Sequence, residues 1–260
     1  MILDKLAQSA KLRAENDKKR MPSEEMKQMA LSLPKKNFEF EKALGGNDIR
    51  FICEVKKASP SKGLIASDFP YIQIAKDYEL AGAAAVSVLT EPEYFQGSDR
   101  YLEEISRNIA IPIIRKDFTV DEYMIYQAHT IGASAVLLIG SLLDTATIKS
   151  YIRVCDSLGL SALVEAHDET EIRSALDAGA RLIGVNNRNL KDFTVDIHNC
   201  IRLRKLVPSE VTFVAESGIK TAEDIDVLRQ ANVNAVLIGE TLMRSPNKKA
   251  MLAQLKGGTV

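Results

Sequence analysis

The sequence predicts an α/β fold, a closed (β/α)8 barrel, with a helical extension over about residues 1–46. Three observations point there. Eight short, β-branched and continuously apolar runs follow Ile49, as suits parallel strands buried on both faces. The segments between them are long enough for one crossover helix each, and several carry a polar start, an apolar stripe and a small-residue end. The 260 residues also lie near the roughly 250 of a bare eightfold barrel, so one domain is expected over 1–260. An open doubly wound sheet is the main competitor, but no G-x-G-x-x-G follows the first strand to favour a dinucleotide crevice.

The extension comes first in the chain. Ile2, Leu3, Leu6 and Leu12 fall at helical spacing, and Met21-Pro22-Ser23 breaks the pattern. Ser23 before Glu24 and Glu25 is placed to open a second helix through Leu33, which Pro34 ends. The strands are then expected at 49–55, 84–89, 111–116, 134–139, 161–165, 181–186, 211–216 and 234–239. Among the intervening helices, 168–180 and 220–233 have the clearest pattern.

Composition narrows the function classes. Hydrophobic residues make up 46% and charged residues 27%, enough for a sizeable core and too apolar for disorder. Lys plus Arg number 34 against 35 Asp plus Glu, so no overall field draws the chain to nucleic acid or an anionic membrane. Any anion site must be local. Cys53, Cys155 and Cys200 are far apart, with no CxxC and no zinc spacing, and read as reduced thiols. The first twenty residues lack an apolar signal core, and no run approaches the roughly 20 residues of a membrane helix, so a cytoplasmic protein is expected.

Barrel enzymes keep their sites at the C-terminal ends of the strands, and a strand's period of two decides which side chains point inward. Polar residues close five of the eight runs: Glu54 and Lys56 on one face after the first, Lys116 on the third, Glu165 on the fifth, Asn186 on the sixth and Glu216 on the seventh. Charges in a barrel mouth are costly unless paired or used. Three carboxylates and two ammoniums neutralise one another there, either as a structural ion-pair network or as a site. Ser217-Gly218 after the seventh strand and Gly239-Glu240 after the eighth stand where many barrels hold phosphate on backbone N–H groups, though tight turns alone account for glycine there. Lys62-Gly63 alone reads as a solvated loop, Phe95 either packs the rim or lines an aromatic pocket, and Cys53 faces the helices. His129, His167 and His198 read as structural or surface residues.

The stretches CEVKKASPSKG (53–63), SVLTEPEYFQGS (87–98), IPIIRKDF (111–118), LVEAHDE (163–169), GVNNRNL (184–190), VAESGI (214–219) and LIGETLM (237–243) together resemble the indole-3-glycerol-phosphate synthases of tryptophan biosynthesis, from the first strand to the last. The resemblance implies a carboxy-lyase acting on the sugar phosphate 1-(2-carboxyphenylamino)-1-deoxyribulose 5-phosphate, with no metal or organic cofactor. It implies Lys116 as general acid for ring closure and Glu165 as acid or base in the later steps. Lys56 would sit against the substrate carboxylate, held by Glu54, with Asn186 and Ser217 on the substrate hydroxyls and Glu216 fixing the local network. Ser59 and the backbone near Gly218, Gly239 and Glu240 would hold phosphate, with the Glu240 side chain turned away. Phe95, Leu137, Arg188 and Leu190 would border the anthranilate ring. The resemblance leaves room for transient contact with other enzymes of the pathway. Two rivals stand beside it: a phosphoribosylanthranilate isomerase, which uses a Cys near the end of its first strand, and a silent sugar-phosphate-binding barrel. LKGGTV (255–260) follows soon after the eighth helical segment, and no fused isomerase domain is expected.

Overall fold

A computed structural model of the chain describes residues 2–189 and 193–257. Its elements run in order α1 (Ile2–Arg20), α2 (Ser23–Ser32), α3 (Glu39–Leu44), β1 (Arg50–Val55), β2 (Ala58–Ser59), β3 (Gly63–Leu64), α4 (Tyr71–Leu80), β4 (Ala85–Leu89), α5 (Asp99–Ser106), β5 (Ile113–Lys116) and α6 (Tyr123–Thr130). There follow β6 (Ala135–Ile139), α7 (Thr145–Leu158), β7 (Ser161–Ala166), α8 (Glu169–Asp177), β8 (Leu182–Asn186), α9 (His198–Arg204), β9 (Thr212–Glu216), α10 (Ala222–Gln230), β10 (Ala235–Ile238), α11 (Glu240–Arg244) and α12 (Lys248–Leu255). Eight strands, β1 and β4 to β10, close a barrel in which every neighbouring pair is parallel, and β1 completes the ring against β10. The barrel strands lie within the eight runs expected from apolar patterning, apart from one added residue at Ala166.

The period of two sorts side chains into two cores. Inside the barrel, Ile52, Ala85, Ile114, Leu137, Leu163, Leu182, Val214 and Leu237 pack on one another. Outside, Cys53, Val55, Val86, Val136, Ile183 and Val236 meet the helical layer. Cys53 thus faces the helices as expected, and burial pushes its thiol up to about 12, far from a nucleophile's range.

Two elements escaped the apolar pattern. The short helix α3 inserts Phe40 and Leu44, both fully buried, into the inner core and packs against β1, β4 and β7. Six residues are too few to show a helical period. The hairpin β2–β3 follows β1 and carries Ser59 and the Lys62 loop toward the mouth. The second helix opens at Ser23 as expected and ends at Ser32, with Leu33 as its C-cap; Pro22 occupies the N-cap position and no side chain caps it.

The extension is anchored by specific contacts. Ala10 and Ala14 of α1 pack on Met124 of α6, and the Arg13 guanidinium bonds both carboxylate oxygens of Asp117, at 2.6 and 3.0 Å. Asp117 is fully buried and also accepts from Thr90 and the Phe118 amide. Farther along, α2 packs on α6, where His129 meets the Ala30 carbonyl at 3.1 Å. This bears out the structural reading of His129. Because Arg13→Ala leaves a buried carboxylate short of its main partner, it is expected to cost about 3–5 kcal/mol. A urea midpoint equal to that of the parent protein would contradict this.

Candidate active site

The C-terminal ends of the strands surround a cavity of about 710 Å³, within the range of small-molecule sites. Lys116 stands at its centre. Its Nζ donates to Glu165 Oε2 at 2.9 Å and to Glu216 Oε2 at 3.0 Å, joining β5, β7 and β9 across the barrel. Asn186 donates from Nδ2 to Glu165 Oε1 at 3.3 Å and accepts the Arg188 amide at 3.0 Å. On the other side Glu54 and Lys56 form an ion pair. The five strand-end charges singled out in the sequence therefore occupy one cavity, in two paired groups.

Burial and pairing divide the charges unequally. Burial opposes the Lys116 ammonium, but Glu165, Glu216 and Glu54 overcome it and hold the lysine protonated above its usual range. Burial likewise opposes the Glu165 carboxylate, while Lys116, His167 and Asn186 bring it down to about 2. Glu216 goes the other way. Burial and the neighbouring carboxylates outweigh Lys116 and lift it to about 7, and its Oε1 is buried with no hydrogen-bond partner among the described residues. The site thus holds one firm carboxylate, one firm ammonium and one carboxyl poised near neutrality, the separation that acid–base work requires.

That separation has a consequence for stability. Glu216 titrates at about 7 in the fold and at 4.5 in the open chain, so between those values the folded chain holds a proton that the unfolded chain lacks. Its contribution to stability accordingly falls as pH rises through that window. Glu165 acts below it, losing stability as pH drops from 4.5 toward about 2. Glu216→Gln is expected to flatten the decline between 4.5 and about 7, read from urea midpoints at the two ends of the window. An unchanged pH slope would contradict the assignment.

The remaining expected residues line the same cavity. Ser59, Phe95, Leu137 and Arg188 border it, as do Glu216, Ser217, Gly218, Gly239 and Glu240. Leu190 lies outside the described residues. Ser217 and Gly218 are both left-handed, with φ of 66° and 85°, and Gly239 caps α11. Helix N-termini leave backbone donors unsatisfied, as an anion requires. Thr241 bonds the Ile219 carbonyl at 2.9 Å and ties these two loops together. The Glu240 carboxylate accepts from Arg244 at 3.0 Å and lies 3.6 Å from Lys62, and these cations hold it low against the effect of burial. Lys62 is therefore a cavity residue and not only part of a solvated loop.

Several further contributors line or brace the cavity. Ile2, Leu3 and Leu6 of α1 line the mouth from the opposite end of the chain, and Phe118 joins them. Buried Glu91 accepts the amides of residues 93, 94 and 95 at 2.7–3.0 Å and so fixes Phe95. Asn187 bonds the Ser217 carbonyl at 3.1 Å and the Cys200 amide, holding the loop after β8 to that after β9. Gly184 and Gly239 stand at close approaches, where a Cβ would displace the Glu216 carboxylate at one and the Glu54–Lys56 pair at the other. His167, read as structural or surface, instead has Nε2 3.6 Å from Glu165 Oε1. Among the described residues, no cluster of three His, Cys, Asp or Glu is arranged to hold a metal ion, and no helix is long and apolar enough to cross a membrane.

Comparison with known proteins gives one answer. Residues 3–255 match the family profile described as indole-3-glycerol phosphate synthase. A protein of that name from Ruminiclostridium cellulolyticum is 61% identical over 258 residues, covering 99% of both chains. Another, from Endomicrobium trichonymphae, is 54% identical over 257 residues, covering 98% of this chain and all of the relative. Among solved structures, 3-hexulose-6-phosphate synthase from Salmonella typhimurium superposes with a TM-score of 0.66 at 13% identity, over 80% of this chain and 97% of the other, which speaks to the barrel alone.

Proposed function

The chain belongs to the indole-3-glycerol phosphate synthase family, carboxy-lyases of tryptophan biosynthesis, and from that premise we propose how its barrel mouth divides the work. The substrate is 1-(2-carboxyphenylamino)-1-deoxyribulose 5-phosphate, which the enzyme closes, decarboxylates and dehydrates to indole-3-glycerol phosphate. The observation that carries the assignment of roles is the Lys116 ammonium held between two carboxylates of different acidity.

Ring closure places negative charge on the former carbonyl oxygen. Lys116 donates its proton there, and the transfer becomes favourable as the oxygen turns into an alkoxide far more basic than any amine. Lys56, steadied by Glu54, sits against the anthranilate carboxylate until carbon dioxide leaves. Glu165, the firm carboxylate, removes the proton from the sugar methylene as the hydroxyl departs. Asn186 and Ser217 orient substrate hydroxyls, and Glu216 keeps Lys116 in register. Phosphate is held at Ser59 and the backbone of 218 and 239–240, while Phe95, Leu137 and Arg188 border the ring.

The reaction calls for no metal or organic cofactor, and the enzyme works in the cytoplasm as one barrel domain with its extension at 1–46. Its partner is the small sugar phosphate, not nucleic acid or a membrane, with room for transient contact with other enzymes of the pathway. Burial and outward orientation of Cys53 argue against the isomerase reading. Incubation with substrate is expected to give a product lighter by one carbon dioxide and one water. A product isomeric with its substrate would overturn the assignment.

A further inference from the structure

The proposed reaction has a proton deficit. One proton goes to the carbonyl oxygen at ring closure, and a second is needed when that hydroxyl leaves as water. Only one returns, from the sugar methylene. Carbon dioxide departs from a carboxylate and releases none, so every turnover draws one proton from solvent. The acid that must be refilled is Lys116, whose ammonium is held between Glu165 and Glu216 on the cavity wall, the side that substrate and product cover.

A chain of side chains leads outward from it. Lys116 Nζ is 2.9 Å from Glu165 Oε2, and Glu165 Oε1 is 3.6 Å from His167 Nε2. His167 Nδ1 is in turn 3.2 Å from Glu171 Oε2. The His167 and Glu171 side chains keep 19% and 17% of their exposure, against 4% for Glu165. Local structure fixes the ring. Asp168 caps α8 by accepting the Glu171 amide at 2.9 Å, and Glu171 reaches back to accept the His167 amide at 2.8 Å, so the same carboxylate oxygen holds the backbone and the imidazole. Asn199 of α9 donates to the His167 carbonyl at 3.2 Å. With Nδ1–H held by Glu171, Nε2 is directed at Glu165. That Nε2 is buried without a hydrogen bond. No step assigned above uses it.

We propose that His167, oriented by Glu171, is the proton-uptake relay that recharges Lys116 through Glu165. The imidazolium Nε2–H bond breaks as an O–H bond forms on Glu165 Oε1. The carboxyl then passes a proton to the neutral Lys116 amine and returns to carboxylate. The imidazole, left neutral with Nδ1–H on Glu171, takes its next proton from water on the α8 side, where the His167 and Glu171 side chains keep part of their exposure, as the ring turns Nε2 out of its buried position. The charges facing the ring favour the loaded form: although burial works against it, Glu171 from α8, Glu165 from β7 and Glu216 from β9 raise the imidazole above its usual range. His167 acts through Glu165 and is not itself in contact with substrate.

The relay rests on the functional reading above, and its test separates the two. His167→Gln keeps an amide donor near Glu165 but carries no exchangeable charge. Stopped-flow indole fluorescence is followed together with a pH-indicator dye in weak buffer, before carbon dioxide hydrates. The first turnover of the variant, run on the proton already stored, is expected to match wild type. Proton uptake then lags, steady-state kcat falls about 10- to 100-fold, less than for a group that meets the substrate itself, and added imidazole restores it at unchanged KM. Glu171→Gln is expected to give the same burst, and it keeps the relay testable if the first variant folds poorly. Unchanged steady-state turnover in both variants, or a first turnover slowed as much as the rest with no response to imidazole, would overturn the relay alone. Absence of indole formation by the wild type would overturn the functional reading and the relay with it.

Discussion

Lys116→Ala is expected to lower kcat by about 10²–10⁴ while leaving the barrel folded, the loss appropriate to removing a positioned general acid. Ring closure is the step affected, because without the ammonium the positioned acid for the incipient alkoxide is gone. The structural cost is softened by the unequal acidity of the neighbours. Removing one partner of a buried ion pair costs about 3–5 kcal/mol when the other must stay charged. Glu216 already titrates at about 7 and takes up a proton instead. The variant is therefore expected to be most stable below neutrality. Steady-state kinetics with circular dichroism at the same pH check both halves, and wild-type turnover in the variant would remove Lys116 from the chemistry.

Glu165→Gln is expected to act later. The amide keeps the shape and can still meet Asn186, but it cannot remove a proton, and Lys116 loses one of its two carboxylate partners. Turnover should fall by about 10²–10⁴ with KM little changed, as befits a group needed after binding. A closed but not dehydrated intermediate should then accumulate in rapid-quench samples. A change confined to KM would make Glu165 a binding residue.

The barrel was legible because burial on both faces writes each strand as a short apolar run, and the interruptions fall where strands meet the mouth. Glu54, Lys116, Glu165, Asn186 and Glu216 all end such runs. Residues whose role depends on distant partners left no such trace. Arg13 and Asp117 are 104 positions apart, and no local pattern announces their pairing. Phe40 and Leu44 plug the barrel from a helix too short to show its period. Gly184 reads as an ordinary strand residue until the Glu216 carboxylate is seen against it. His167 shares the inward parity of Glu165, but it sits one position beyond its strand and reads as a loop residue until the turn into α8 is seen to aim its ring at Glu165.

The most direct measurement is indole fluorescence on mixing purified wild-type protein with 1-(2-carboxyphenylamino)-1-deoxyribulose 5-phosphate in the presence of a metal chelator. The account predicts a steady rise that the chelator leaves untouched. No rise from folded protein, with the substrate recovered unchanged, would contradict it and leave a barrel that binds a sugar phosphate without transforming it.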